Sequence, residues 1–293
     1  MAFRVEHGGG RKRSSLHRGR GDCDLSSKGR AEWTRFLRAF ICIVSALALL
    51  VVWRILKGDK PTRLQFCCKR LEHRIWQALL GAFSIDVSVS GMPSPLPGTL
   101  FAANHISWTD IVVLGSLLDA GFVAKDDVRL WPVIGPAARQ YGCLFVSRER
   151  RGTVASQASS VGRWLRGMRS LVLFPEGTTG DGSAVLPFRS SLFGDLQLEE
   201  SRPVQPVALH YCKPDGTLFD ARERRQFAWL DDDALLPSAL QLIRSGGVRV
   251  EVHFEQPVVD ADRKSLARNC RQMIADRLGV AAAHHAATLN RAA

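Results

Sequence analysis

Residues Thr99–Leu118 read TLFAANHISWTDIVVLGSLL. A short apolar run, Thr99–Ala103, gives way at once to a polar cluster between Asn104 and Asp110. A second apolar run, Ile111–Leu118, follows directly. The first run has the length of a buried strand and the second continues as a helix, so the unit reads strand, turn, helix. Working outward, the alternation recurs. Further strands are predicted at Ile85–Val89, Gly121–Ala124, Cys143–Val146, Ser170–Phe174, Val204–Tyr211 and Val248–Phe254, and the first run extends back to Gly98. Helices are predicted over Thr109–Leu118, Trp131–Gln140, Thr153–Arg166 and Asp262–Leu278. Strands alternating with helices predict an α/β domain, a mixed β-sheet flanked by helices.

The polar cluster carries chemistry. His105 stands at a strand end, where the chain turns into a helix, and imidazole is the usual general base near neutral pH. Asp110, five residues on, can fold back across the turn and accept the proton of the other ring nitrogen. That contact fixes the tautomer and stabilises the imidazolium. No GxSxG elbow occurs, and no thiol lies near His105 in sequence. A base–carboxylate pair without an enzyme nucleophile suits direct attack by a substrate hydroxyl. A second cluster, Phe174-Pro175-Glu176-Gly177-Thr178-Thr179, also follows a predicted strand, so Glu176 is expected at the same sheet edge as His105.

The chain has 293 residues, 46% of them apolar, and a formal net charge of +12. The apolar fraction excludes a disordered or collagen-like chain, and the charge predicts an anionic partner such as a lipid surface or a phosphorylated substrate. The seven cysteines form no CxxC pair and read as free thiols, not as a disulfide framework or zinc site. No metal ligand cluster is expected, and His284-His285 reads as part of a C-terminal tail.

Ala39–Trp53, AFICIVSALALLVVW, is fifteen residues without a charge. As a helix it is about 22 Å long, short of a hydrocarbon core of about 30 Å. Residues 1–38 hold ten Lys or Arg and residues 54–74 hold seven, so both flanks are basic. Adding Phe36–Leu37 and Ile55–Leu56 reaches spanning length only if Arg38 and Arg54 snorkel, whereas a segment that enters one leaflet and returns keeps both flanks on one side. Thr62–Phe83 carries Leu64, Cys68, Leu71, Ile75, Leu79 and Phe83 at helical steps among basic residues. It reads as an amphipathic helix in the headgroup layer, with an ordinary core-facing helix with a solvated charged side as the alternative. The expected organisation is a basic disordered tail over 1–35, membrane-anchoring helices over 36–83, a catalytic domain over 84–280 and a C-terminal tail over 281–293.

Four motifs in order resemble those of the PlsC-type lysophospholipid acyltransferases, the 1-acyl-sn-glycerol-3-phosphate acyltransferase family. NHISWTD is similar to the family's NHxxxxD, and FPEGTT to its FPEGT. Between them lie Lys125, the Trp131–Gly135 turn and Gly142-Cys143-Leu144-Phe145-Val146-Ser147-Arg148, similar to the family's Gly-x-x-Phe-x-x-Arg strand. Val204-Gln205-Pro206-Val207-Ala208 is similar to its fourth, proline-containing strand. The resemblance covers roughly residues 98–212.

It implies that His105 is the general base and that Asp110 orients it. Arg148 and Lys125 would neutralise an acceptor headgroup, with Arg189 of the Phe188-Arg189 pair assisting. Asn104, Glu176, Gly177 and Thr178 would line or shape the acceptor pocket. Thr179 departs from the pattern, since many members carry Arg there, and this weakens the case for a phosphate headgroup. Ser107 and Thr109 occupy variable positions. The implied reaction moves an acyl chain from acyl-CoA or acyl-carrier protein to 1-acyl-sn-glycerol-3-phosphate, giving phosphatidic acid, with no cofactor. The alternative acceptor is lyso-ornithine lipid or another lysolipid without phosphate. The implied location is the cytoplasmic face of a bacterial inner membrane. Nucleic-acid binding, or a scaffold without catalysis, is the rival from another class. The basic tail alone favours it, and no aromatic–basic stacking pattern accompanies that tail, so no nucleic-acid partner is expected.

Overall fold

The computed structural model describes residues 21–56, 62–146, 161–197, 203–230, 233–260 and 262–292. Seven strands form one sheet: β1 (Ile85–Ser90), β2 (Leu100–Ala103), β3 (Gly121–Lys125), β4 (Leu144–Val146), β5 (Leu171–Leu173), β6 (Val204–Cys212) and β7 (Val248–Phe254). Their spatial order is β1-β7-β6-β2-β5-β3-β4. All neighbours pair in parallel except β6 and β7, which are antiparallel. The sheet is therefore mixed, as the alternation predicts, and every predicted strand lies within two residues of an observed one.

The helices are α1 (Gly21–Leu56), α2 (Thr62–Phe83), α3 (Thr109–Leu117), α4 (Ile134–Tyr141), α5 (Ala221–Phe227), α6 (Leu235–Ser245) and α7 (Arg263–Ala292). Residues 161–166 are helical, and the earlier part of the predicted Thr153–Arg166 helix lies outside the described residues. Successive residues of a strand face opposite sides of the sheet, and each side is covered. Phe101, Ala103, Val172, Val207 and Leu209 pack with α2, α3 and α6. Leu100, Ala102, Leu171 and Leu173 pack on the other side with Val161, Leu165 and, from α7, Leu266, Ala267 and Cys270.

Several boundaries correct the sequence reading. The predicted Trp131–Gln140 helix starts only at Ile134, after a 3₁₀ turn over Asp126–Leu130. Pro132 disfavours helical backbone at Trp131, which accounts for the late start. Residues 21–35, read as disordered tail, are helical in α1, because extending a helix from an apolar segment costs far less than nucleating one. Residues 1–20 lie outside the described residues. The C-terminal tail is also helical, as α7 continues through the alanine-rich 281–292.

The two N-terminal helices have different jobs. The sequence pattern of α2 favours the headgroup layer over a core-facing role, and the structure assigns its C-terminal half to the core. Leu80 and Phe83 are buried there with Trp76 and Leu79 packed beside them. Trp76 lies so close on α3 that a Cβ at Gly115 would come within 2.6 Å of its ring. The outward apolar face is α1's: Trp33, Leu37, Phe40, Ile41, Val44, Leu47, Val51, Val52 and Ile55 are all exposed, at helical steps. Its inner positions Ala39, Ala46 and Trp53 are buried, and the Trp53 indole donates to Glu72 at 2.8 Å. The middle and the C-terminal end of α1 are tied to the domain. Arg35 donates to the Arg244 carbonyl at 3.0 Å and Arg38 bonds Ser84, while Gln140 donates to the Arg54 carbonyl at 3.2 Å.

Candidate active site

The parallel strands β2 and β5 are neighbours, with Ala102 opposite Leu173, so the turns after them emerge side by side. This is the carboxyl edge of the sheet, where open α/β folds bind ligands. His105 leaves β2 there and Glu176 leaves β5.

His105 Nδ1 lies 2.8 Å from Asp110 Oδ2. Its ring stacks on Phe174, with centroids 4.0 Å apart and planes 16° from parallel. The side chain keeps 14% of its surface exposed. With Nδ1–H directed at a carboxylate, Nε2 is left as the basic nitrogen of the neutral ring. The Asp110 side chain is fully buried and satisfied from several directions. Its Oδ2 also accepts from the backbone N–H groups of Ile106 at 2.7 Å and Ser107 at 3.0 Å. Its Oδ1 accepts from the Tyr211 hydroxyl at 2.5 Å. The carboxylate is thereby held in one orientation behind the imidazole.

Glu176 is buried and accepts from the His105 backbone N–H at 3.2 Å. Burial pushes its carboxyl up to about 8, partly opposed by hydrogen bonds from the His105 and Leu186 backbones. Glu176 thus holds the chain at His105, and its buried carboxyl is not exposed for a substrate contact. Gly177 has φ +74°, and a Cβ there would approach the Arg189 guanidinium to 2.7 Å. Gly177 and Arg189 are thus brought together, with the exposed guanidinium lying over the turn. Arg189 has no carboxylate partner among the described residues.

Other expected contacts are relocated. The motif places Asn104 in the substrate pocket, but both ends of its amide bind the Leu209 backbone, at 3.0 and 2.8 Å. It is buried and clamps the end of β2 to β6. Lys125 ends β3 with its ammonium 2.5 Å from Asp127, so part of its charge is already matched. Thr178 is exposed at the turn. Arg148 lies outside the described residues. Thr179 donates its hydroxyl to the Trp229 carbonyl.

Trp229 and Tyr211 carry no role in the sequence reading. The Trp229 backbone N–H donates to the Ile106 carbonyl at 3.0 Å, beside the histidine, and its ring meets Trp131 edge-on at 6.2 Å. Both come from segments more than 100 residues away, and no local spacing marks them.

Comparison with known proteins gives this geometry its family. A family model described as "Acyltransferase" matches residues 86–210. The lyso-ornithine lipid O-acyltransferase of Rhizobium meliloti is 36% identical over 249 residues, covering 80% of this chain and 82% of that protein. The chain belongs to the PlsC-type acyltransferase family. The 1-acyl-sn-glycerol-3-phosphate acyltransferase of Neisseria gonorrhoeae is 30% identical, covering 61% of this chain and 71% of its own length. The crystal structure of the lysophosphatidic acid acyltransferase PlsC from Thermotoga maritima superposes with a TM-score of 0.60 over 86% of this chain and 96% of that one. At 17% identity the latter speaks to the fold. This member of the family is an O-acyltransferase with His105 and Asp110 joined at the carboxyl edge of its sheet.

Proposed function

We propose that this acyltransferase esterifies the free hydroxyl of lyso-ornithine lipid, using an acyl thioester as donor. The observation that carries the catalytic part is the His105–Asp110 contact. His105 Nε2 takes the hydroxyl proton as the oxygen attacks the thioester carbonyl. The tetrahedral intermediate then collapses, the C–S bond breaks, and the imidazolium returns the proton to the leaving thiolate. Asp110 stabilises the imidazolium in between. Acyl-CoA and acyl-carrier protein both supply the required thioester.

Two observations favour lyso-ornithine lipid over 1-acyl-sn-glycerol-3-phosphate, the acceptor put first from the motifs. Relatives bearing the lyso-ornithine lipid name are 35–38% identical to this chain, against 29–30% for the two Neisseria enzymes named for the phosphate acceptor. The anion-binding positions are also modest: Lys125 faces Asp127, and Thr179 engages Trp229 where many members carry Arg. The phosphate acceptor is the second reading, supported by exposed Arg189 and by the sequence position of Arg148.

For the membrane, we infer attachment to one leaflet through the outward face of α1. That helix is apolar and long enough to cross a bilayer over Ala31–Ile55. Yet the Arg35–Arg244 and Arg54–Gln140 contacts hold that apolar span near both of its limits against one domain, which supports a helix lying in the interface. A cytoplasmic face fits a soluble thioester donor. The test offers the full chain, in vesicles, radiolabelled acyl donor with each lysolipid in turn. Label in ornithine lipid at a rate exceeding that into phosphatidic acid is expected, and the reverse ranking overturns the acceptor assignment.

A further inference from the structure

Asp110 binds His105 through one oxygen and a buried phenol through the other. Tyr211 stands on β6, almost fully buried, and has a single hydroxyl proton. With that proton directed at Asp110 Oδ1, 2.5 Å away, the Thr109 hydroxyl at 2.8 Å is the donor to the phenol oxygen. The result is a one-way chain of hydrogen bonds, Thr109 to Tyr211 to Asp110, which ends on the carboxylate behind the base. Burial and the neighbouring Asp110 charge push the phenol well above its usual value, so it stays a neutral donor at neutral pH.

The sheet aims this phenol. Leu209 and Tyr211 are two residues apart on β6 and face the same side. The two Asn104–Leu209 bonds fix that strand against the end of β2, and so fix where Tyr211 points. Thr109, a variable position in the family motif, supplies the second link from the first turn of α3.

We propose that Tyr211 is a positioning residue of the acyl-transfer reaction: with Thr109 behind it, it holds Asp110 in register with His105 and draws off part of the carboxylate charge, which sets the basicity of the histidine. The catalytic role rests on the acyl-transfer reading given above. The other charged or titratable groups facing the pair are Glu176, from the turn after β5, and beyond it Arg271 of α7, which donates to the carbonyls of Val185 and Leu186 and acts on Glu176 through its charge. Arg189 lies over the neighbouring Gly177. None of these hydrogen-bonds Asp110, so removing the phenol changes the carboxylate directly and the rest only indirectly.

The test follows kcat and KM against pH for the full chain in vesicles, together with the His105 titration in the substrate-free protein by ¹⁵N-histidine NMR. In Tyr211→Phe, Asp110 loses a donor, holds more charge and attracts the imidazolium more strongly. The acid limb of the kcat profile and the NMR midpoint are expected to move up together by about half a pH unit. Plateau kcat is expected to fall about tenfold, the scale of one hydrogen bond to a charged group, with the acceptor KM unchanged. Thr109→Val should move the midpoint the same way by less, and Thr109→Ser should leave it at the wild-type position. An unmoved midpoint in Tyr211→Phe, or a kcat loss that merely tracks a lower Tm, overturns the proposal. The NMR titration needs no turnover, so it decides the basicity claim even if the protein acylates neither lysolipid, an outcome that would count against the acceptor reading alone.

Discussion

Glu176 shows how a charge-bearing residue at an active site can act through its backbone partners. Its native carboxyl holds a proton to about pH 8, whereas an unfolded glutamate releases it near pH 4.5. Between those values the unfolded chain binds fewer protons than the native one, so stability falls as pH rises through that window. A tenfold difference in proton affinity between the two states corresponds to roughly 1.4 kcal/mol. We expect wild-type Tm to decline from pH 5 to pH 8 and the decline to flatten in Glu176→Gln, as thermal melts across that range would reveal. Asn104 makes a second prediction. Replacing it with Ala leaves the buried Leu209 N–H and C=O without partners, at about 1–3 kcal/mol for each unsatisfied group. Denaturant melts of Asn104→Ala should show that loss, and an unchanged midpoint would mean the clamp is dispensable. His105, Asp110 and Glu176 are legible in the sequence because each sits in a motif directly after an apolar strand. Tyr211, Leu209 and Trp229 are not, because they reach the site through strand register and a distant loop. Asn104 looks like a pocket residue for the same reason: its partner, Leu209, is 105 positions away.

Among the elements, α1 and α2 divide what the sequence presents as one membrane anchor. Hydrophobic periodicity says that a face is buried but not against what, so the stripe of α2 fits headgroups and core equally well on paper. Packing of Trp76 on Gly115 and burial of Leu80 and Phe83 assign its C-terminal half to the core. Deleting residues 1–83 would therefore remove part of the catalytic domain along with the anchor. A cleaner test places charge on the outer face of α1. Phe40→Glu combined with Val44→Glu puts two carboxylates on exposed positions of that face. We expect the double variant to sediment with anionic vesicles at less than a tenth of the wild-type fraction, with Tm within a few degrees of wild type. Retained binding would move the membrane face elsewhere. Helices α5 and α6 escape the sequence reading for physical reasons. α5, ARERRQF, has a single apolar residue beyond its first alanine, and its start is set by an Asp220–Glu223 capping box. In α6 a proline sits in the first turn, where it is tolerated but reads from sequence as a breaker.

At the scale of the whole molecule, the sheet gathers turns from β2 and β5 with two residues of β6 into one site, while α2 packs into the core and α1 turns an apolar face outward. The strands are legible in the sequence because the central ones are short apolar runs and β1 and β7 alternate apolar with polar residues. What joins those parts is the claim that the histidine at the end of β2 is the base for acyl transfer. The measurement that tests it most directly is the initial rate of label transfer from acyl thioester to lysolipid by purified His105→Ala protein in vesicles, beside wild type, with circular dichroism confirming the same fold and Tm. Loss of a positioned general base typically lowers the rate by about 10²–10⁴-fold. A loss of about that size is expected in a folded, vesicle-bound variant. Transfer at the wild-type rate by such a variant would contradict it.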